Sequence, residues 1–288
     1  MNVPRSFGRR LHVAMGERGP FCAGIDPHPG LLTAWGLDDD VAGLERFSRT
    51  AVEALGDTVA LLKPQSAFFE RHGSRGVAVL ERVIADAKGT GALVLLDVKR
   101  GDIGSTMQAY ADAYCDPRSP LCADAVTVSP YLGFGSLRPV LDTARAHGNG
   151  VFVLALTSNP EGPEVQHARR PDGRTVAATV LDHVRAANAA VLAGDEPLGS
   201  VGVVVGATTG GTGEDLAVGG PLLAPGIGAQ GATVDDLATV FGAALPQVVP
   251  SASREVLGAG PDPQALRDAA RRTIDAVRDL LFRASTRA

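Results

Sequence analysis

The sequence predicts an α/β protein built as one (β/α)8 barrel over residues 1–288. Three observations predict it. Eight short runs have strand composition, several of them are nearly continuous Val, Leu and Ile, and the stretches between them carry helical spacing. Runs without polar alternation suit strands buried on both faces of a parallel sheet. Eight strand–helix units in about 250 residues match the size of such a barrel. A doubly wound open sheet is the rival, but it normally has fewer strands and places its ligand loop after the first one.

In chain order the strands fall over 21–26, 59–64, 93–99, 125–130, 151–157, 201–207, 222–227 and 247–253. Amphipathic helices fit 41–55 and 76–87, and a C-terminal helix fits about 263–283. Asp262 is placed to cap that last helix, with Pro263 at its first position. Leu266, Ala270, Ile274, Val277 and Leu281 then form one apolar stripe. The polar stretch 159–175 reads as a loop insertion after the fifth strand, either solvated or packed beside the barrel mouth. The Gly-rich stretch 206–220 links strands six and seven and has no Gly-Lys-Ser/Thr, which excludes a P-loop. No composition shift divides the chain.

Composition narrows the function. Lys and Arg number 27 against 32 Asp and Glu, a net charge of −5. A mildly acidic chain without a basic run is a poor nucleic-acid binder. An anionic substrate must therefore be held by locally placed cations and backbone dipoles. Cys22, Cys115 and Cys122 show no framework spacing and read as reduced thiols. Arg5, Arg9 and Arg10 are not followed by the apolar segment of a secretory signal. The apolar runs at 151–156 and 203–205 are too short to span a membrane. A soluble, cytoplasmic protein is expected.

The stretch 95–106, LLDVKRGDIGST, is the most informative. Strand residues two apart share a face, so Asp97 and Lys99 point together, with Asp102 in the following loop. Catalytic groups in this architecture sit at the C-terminal ends of the strands. A solvated ion pair capping the strand is the plainer reading. Asp26 ends strand one and Lys63 ends strand two, however, so Asp26, Lys63, Asp97 and Lys99 converge on one mouth. There they would hold each other charged.

After strand seven comes Pro225-Gly226-Ile227-Gly228-Ala229-Gln230-Gly231. It contains G-x-G-x-x-G, but not after a first strand and not with an acid about 20 residues on, so a dinucleotide site is rejected. The glycines fit a phosphate cradle instead. Arg254, after strand eight, adds a planar guanidinium suited to phosphate. A Gly turn beside a surface Arg remains the alternative. The six histidines show no metal spacing, and no metal site is expected. Ser158 ends strand five either as a ligand contact or as a turn residue.

These segments together resemble the longer bacterial type of the orotidine 5′-phosphate decarboxylase family. The resemblance rests on IDPHP (25–29), LLKPQSAFFE (61–70), LLDVKRGDIGSTMQAYA (95–111), VSPYLG (128–133), TSNP (157–160), APGIGAQG (224–231) and SASRE (251–255). It implies decarboxylation of orotidine 5′-phosphate to uridine 5′-phosphate in de novo pyrimidine biosynthesis, with no cofactor. Lys99 would protonate C6, Asp97 would face the departing carboxylate, and Lys63 and Asp102 would complete a Lys-Asp-Lys-Asp network. Asp102, with Ile103 and Thr106, would enter a neighbouring subunit's site, which implies a homodimer with shared active sites. Asp26 and Lys63 would hold the ribose hydroxyls, Ser158 the pyrimidine edge, and Pro225 would line the pocket. Gly228, Gln230, Ser253 and Arg254 would bind the 5′-phosphate, and the loop after strand seven would close as a lid. Strand eight departs from the family pattern, carrying Pro250-Ser251-Ala252-Ser253 where an Asn or Gly is expected before the arginine.

Two other readings compete. A hexulose-phosphate synthase or ketogulonate-phosphate decarboxylase shares Asp-x-Lys-x-x-Asp but uses Mg²⁺ held partly by a Glu at the end of strand two. Lys63 stands there in this chain and would repel the ion. The other is a non-catalytic barrel that binds a phosphorylated ligand.

Overall fold

Alternation along each apolar run sorts its side chains into an inner and an outer set. In the computed structural model, which describes residues 5–210, 212–228 and 231–286, the runs form eight parallel strands. They are β1 (Cys22–Ile25), β2 (Leu61–Pro64), β3 (Leu93–Arg100), β4 (Ala125–Val128), β5 (Gly150–Leu156), β6 (Val201–Val205), β7 (Leu222–Pro225) and β8 (Val248–Ala252). Each pairs with the next, and β8 returns to β1 through Cys22↔Ser251 and Ala23↔Ala252, which closes the barrel. The fold class predicted from the sequence is the one observed, and the closed ring excludes the open sheet.

Outward residues such as Leu62, Val94, Leu96, Val126, Val153 and Val203 join the large core beneath the helices. Inward residues, among them Leu61, Leu93, Leu95, Phe152, Leu223 and Val249, fill the barrel interior. The helices include α1 (Phe7–Arg18), α2 (Val41–Leu55), α3 (Gly73–Gly89), α4 (Gly104–Cys115), α5 (Arg138–His147), α6 (Val176–Leu192), α7 (Asp236–Phe241) and α8 (Pro263–Ser285). The Asp262 carboxylate accepts from the Gln264 and Ala265 amides, so α8 starts where the capping signal places it.

Helix α1 was not anticipated by the sequence reading. It seals the N-terminal end of the barrel with Phe7, Leu11 and Ala14, and the Phe7 ring meets Phe152 edge-on at 6.0 Å. A Cβ on Gly8 would lie 2.0 Å from the Leu198 carbonyl oxygen, so this close approach of helix and loop needs glycine.

The sixth unit also differs from a regular strand–helix repeat. Among its described residues the β6–β7 connection holds no helix. Its Gly-rich sequence disfavours one, and buried Leu216 and Val218 supply the apolar cover instead. Asn188 of α6 fastens the connection, donating to the Val201 and Val218 carbonyls at 2.7 and 3.0 Å. The 159–175 stretch contains a short helix, Gly162–Gln166. Gln166 clasps Thr157, accepting from its amide at 2.9 Å and donating to its hydroxyl at 2.6 Å, which fixes the segment beside the C-terminal end of β5.

Candidate active site

The inward positions change character toward the C-terminal ends of the strands. On β1 the series Cys22, Gly24 leads to Asp26; on β2 Leu61 leads to Lys63; on β3 Leu93 and Leu95 lead to Asp97 and Lys99; on β4 Ala125 leads to Thr127. The pairings Gly24↔Lys63 and Gln65↔Asp97 place these residues side by side at one mouth.

Asp97 is the hub. One carboxylate oxygen accepts from Lys99 Nζ at 2.7 Å and from Thr127 Oγ1 at 2.8 Å, and the other from Lys63 Nζ at 3.2 Å. Two ammonium groups thus share one buried carboxylate. Asp26 Oδ1 lies 4.0 Å from Lys63 Nζ on the far side. Burial opposes charge on Lys63, yet the carboxylates of Asp26 and Asp97 outweigh it and hold the ammonium above the usual lysine range. Burial likewise opposes charge on Asp97, but Lys63 and Lys99 overcome it and keep the carboxyl well below its ordinary value. Lys63 and Asp97 are buried, whereas Lys99 is 45 % exposed and faces the opening.

Lys99 has φ +48°, the sole left-handed conformation of a non-glycine residue among the described residues. Such a conformation costs about 1–3 kcal/mol unless its surroundings hold it. Thr127 holds it. Its buried hydroxyl accepts from the Val98 and Lys99 amides, both at 3.0 Å, while donating to Asp97. Sequence reasoning missed Thr127, because a β-branched residue inside Ala-Val-Thr-Val reads as ordinary strand filler. The signal available was its inward register, two positions beyond Ala125.

The remaining expected residues group as follows. Asp102 is not among the partners of Lys63 or Lys99 within the chain. Its carboxylate accepts from the Ile103 amide at 2.8 Å, and Ile103 and Thr106 beside it are exposed. Ser158 is exposed at the end of β5, and a Cβ on Gly206 would sit 3.1 Å from it, so the loops after β5 and β6 meet there. Pro225 ends β7 opposite Ser251. The Gly228 amide donates to the Ala232 carbonyl at 2.9 Å, so in this conformation it serves the turn. Gln230 lies outside the described residues. Arg254 is exposed and opens a short helix, Arg254–Leu257, directly after Ser253.

Gly24 ties the two sides of the mouth together. A Cβ there would fall 2.7 Å from Ser253 Cβ and 3.3 Å from Asp26 Oδ2, so only glycine lets the β8 loop approach β1. The Ser253 hydroxyl and Asp26 Oδ1 are both buried and without a hydrogen-bond partner. Buried polar atoms left unmatched are costly, and partners supplied by a ligand would offset that cost. Cys22 lies deeper, below Lys63. Burial pushes its thiol up to about 12, which makes it a poor nucleophile. All three cysteines are free and buried. His28 packs edge-on against Phe68, with ring centroids 4.2 Å apart. Among the described residues no helix is long and apolar enough to cross a membrane.

Comparison with known proteins places this geometry. A model of the "Orotidine 5′-phosphate decarboxylase / HUMPS family" matches residues 20–269. A Salinispora tropica protein named orotidine 5′-phosphate decarboxylase is 68 % identical over 270 residues, covering 93 % of this chain and 96 % of that one. One of the same name from Streptomyces coelicolor is 66 % identical over 267 residues, covering 92 % and 95 %. The fold matches a crystal structure from Streptomyces avermitilis with TM-score 0.92, 65 % identity and 96 % coverage of both chains. It matches Leishmania donovani OMP decarboxylase with TM-score 0.73 and 30 % identity, over 95 % of this chain and 98 % of that one.

Proposed function

The chain belongs to the orotidine 5′-phosphate decarboxylase / HUMPS family, and from that premise we propose that it converts orotidine 5′-phosphate to uridine 5′-phosphate in pyrimidine biosynthesis, with no cofactor. The observation that carries this reading is the single buried carboxylate of Asp97 gripped by two ammonium groups, Lys63 and Lys99.

The chemistry explains why such a cluster is useful. When the C6–CO₂ bond breaks, its electron pair stays on a ring carbon with no adjacent carbonyl to delocalise it. Fixed charge in a dry site is then the means of stabilisation. The substrate carboxylate is seated against Asp97, and Lys99, the more exposed cation, stands next to the developing carbanion and gives its proton to C6. The barrier reduction demanded is large, roughly 20 kcal/mol or more. Lys63 is paired on both sides, so it orients Asp97 and Asp26 and meets a ribose hydroxyl. The unmatched oxygens of Asp26 and Ser253 are the complementary partners for such hydroxyls. Arg254, with Gly228, Gln230 and Ser253, takes the 5′-phosphate, whose binding energy closes the loop after β7 and expels water.

Asp102, Ile103 and Thr106 are presented outward and complete the site of a second copy in a homodimer. Their apolar company supports this: Ile103 is 61 % and Tyr131 77 % exposed beside the mouth, a surface that a partner would cover. Mixing Lys99→Ala with Asp102→Ala chains should restore part of the activity, since one site of each heterodimer is intact; a verified heterodimer without activity removes the sharing.

Turnover is followed by the ultraviolet change as orotidine 5′-phosphate becomes uridine 5′-phosphate, with and without EDTA. Full activity in EDTA supports the metal-free reading. Loss restored by Mg²⁺ would instead favour the hexulose-phosphate branch, which the Lys63 ammonium at the end of β2 disfavours on charge. Binding of the substrate without turnover would leave a phosphate-ligand barrel and no enzyme.

A further inference from the structure

Away from the mouth, a cavity of about 710 Å³ runs along the outside of the barrel between α5 and α6. None of the active-site side chains lines it. Its floor is apolar, formed by Leu141, Val151 and Val191. At one end the Phe134 and His183 rings stack in parallel, 4.9 Å apart and 12° from coplanar.

Its charge runs against that of the chain. Four arginines line the groove. Arg9 is matched by Glu196 at 3.2 Å and Arg145 by Asp142 at 2.6 Å. Arg5 and Arg138 have no acidic partner among the described residues. A protein of net charge −5 therefore keeps two uncompensated guanidinium groups on one apolar groove.

We propose that this groove is a second ligand site, separate from the barrel mouth, for a small amphipathic anion. The occupant is a flat apolar body with one carboxylate, sulfonate or phosphate. The volume lies within the range of small-molecule sites, about 300–1,000 Å³. The ring pair and aliphatic floor suit a planar apolar body. The unpaired arginines suit the anion, because a guanidinium offers a planar donor fork to an oxyanion.

The test uses the whole protein and 1-anilinonaphthalene-8-sulfonate, an aromatic sulfonate with a flat naphthalene body, read by its fluorescence. Saturation at one probe per chain is expected, with affinity unchanged by saturating uridine 5′-phosphate. Two variants on exposed positions address the site without touching the core: Arg138→Glu reverses a rim charge, and Ala187→Trp fills the groove. Arg138→Glu should weaken the probe at least about tenfold, Ala187→Trp should abolish its binding, and both should retain parental turnover. N-phenyl-1-naphthylamine, which lacks the sulfonate, should bind at least about tenfold more weakly. Displacement of the probe by uridine 5′-phosphate, indifference to both substitutions, or equal affinity for the uncharged analogue would each overturn the proposal.

Discussion

The two ends of the barrel are built from the same strands and obey opposite chemistry. At the N-terminal end the inward positions are Leu61, Leu93 and Phe152, closed by the Phe7 and Leu11 side chains of α1. Toward the C-terminal end the inward positions become Lys63, two beyond Leu61, Asp97 and Lys99, two and four beyond Leu95, and Thr127, two beyond Ala125. The closed end is stabilised by removing apolar surface from water, the open end by matching charges that are costly to bury. A strand lends both ends its register, so the apolar layer sets the positions of the charged layer above it. Stability and chemistry are thereby separable along the barrel axis, and substitutions at each end should divide the two.

The largest effect is expected at the open end. Lys99→Ala should lower kcat by about 10⁴-fold or more, since it removes both a proton donor and a fixed charge, while the thermal midpoint stays near that of the parent. Near-parental turnover would remove Lys99 from the chemistry. Next comes the closed end. Phe7→Ala opens a cavity beneath Phe152 and should cost about 3–5 kcal/mol in denaturant unfolding, with kcat/KM per folded molecule within about twofold. A large catalytic loss there would break the division between the ends.

Thr127→Val lies between these extremes. It keeps the shape but strands the Val98 and Lys99 amides, so a stability cost of about 1–3 kcal/mol is expected, with kcat down about 100-fold and KM little changed. Thr127→Ser should restore most of kcat; failure to do so would point to packing rather than the hydroxyl. The smallest effect concerns pH. Asp97 titrates lower in the folded chain than in the unfolded one. Its contribution is present above the ordinary carboxylate value of about 4 and is lost as the pH falls below it. The stability gap between the parent and Asp97→Asn should therefore narrow by about 1 kcal/mol between about pH 5 and pH 3. A gap constant over that interval would deny the pairing.

The sequence carries the barrel through its Val/Leu/Ile runs, because strands buried on both faces cannot hide their composition. It also carries the convergence of Asp26, Lys63, Asp97 and Lys99, since a two-residue period fixes which side chains share a face. What it does not carry is telling. Helix α1 is too polar along most of its length to announce a plug, and its three inward residues gain meaning only once Phe152 is above them. Thr127 looks like filler because its role depends on the left-handed turn of Lys99, which no local pattern encodes. The pairing of Gly24 with Ser253 requires that β8 lie beside β1, a closure written nowhere in either segment. Asp102 is legible as a charged residue, but what it meets depends on a second chain.

Helix α1 bears on how the molecule comes into being. Its Gly8 amide donates to the Ser200 hydroxyl at 3.0 Å, across 192 positions of chain. On a ribosome adding about 5–20 residues per second, this first helix waits roughly 10–40 s for its docking surface to emerge. By then Phe152, the ring that Phe7 meets, has already been made, so the apolar contact precedes the hydrogen bond in synthesis. Anchoring of the Gly8 amide is thus a late contact in the chain's synthesis, joining the first turn of α1 to the start of β6.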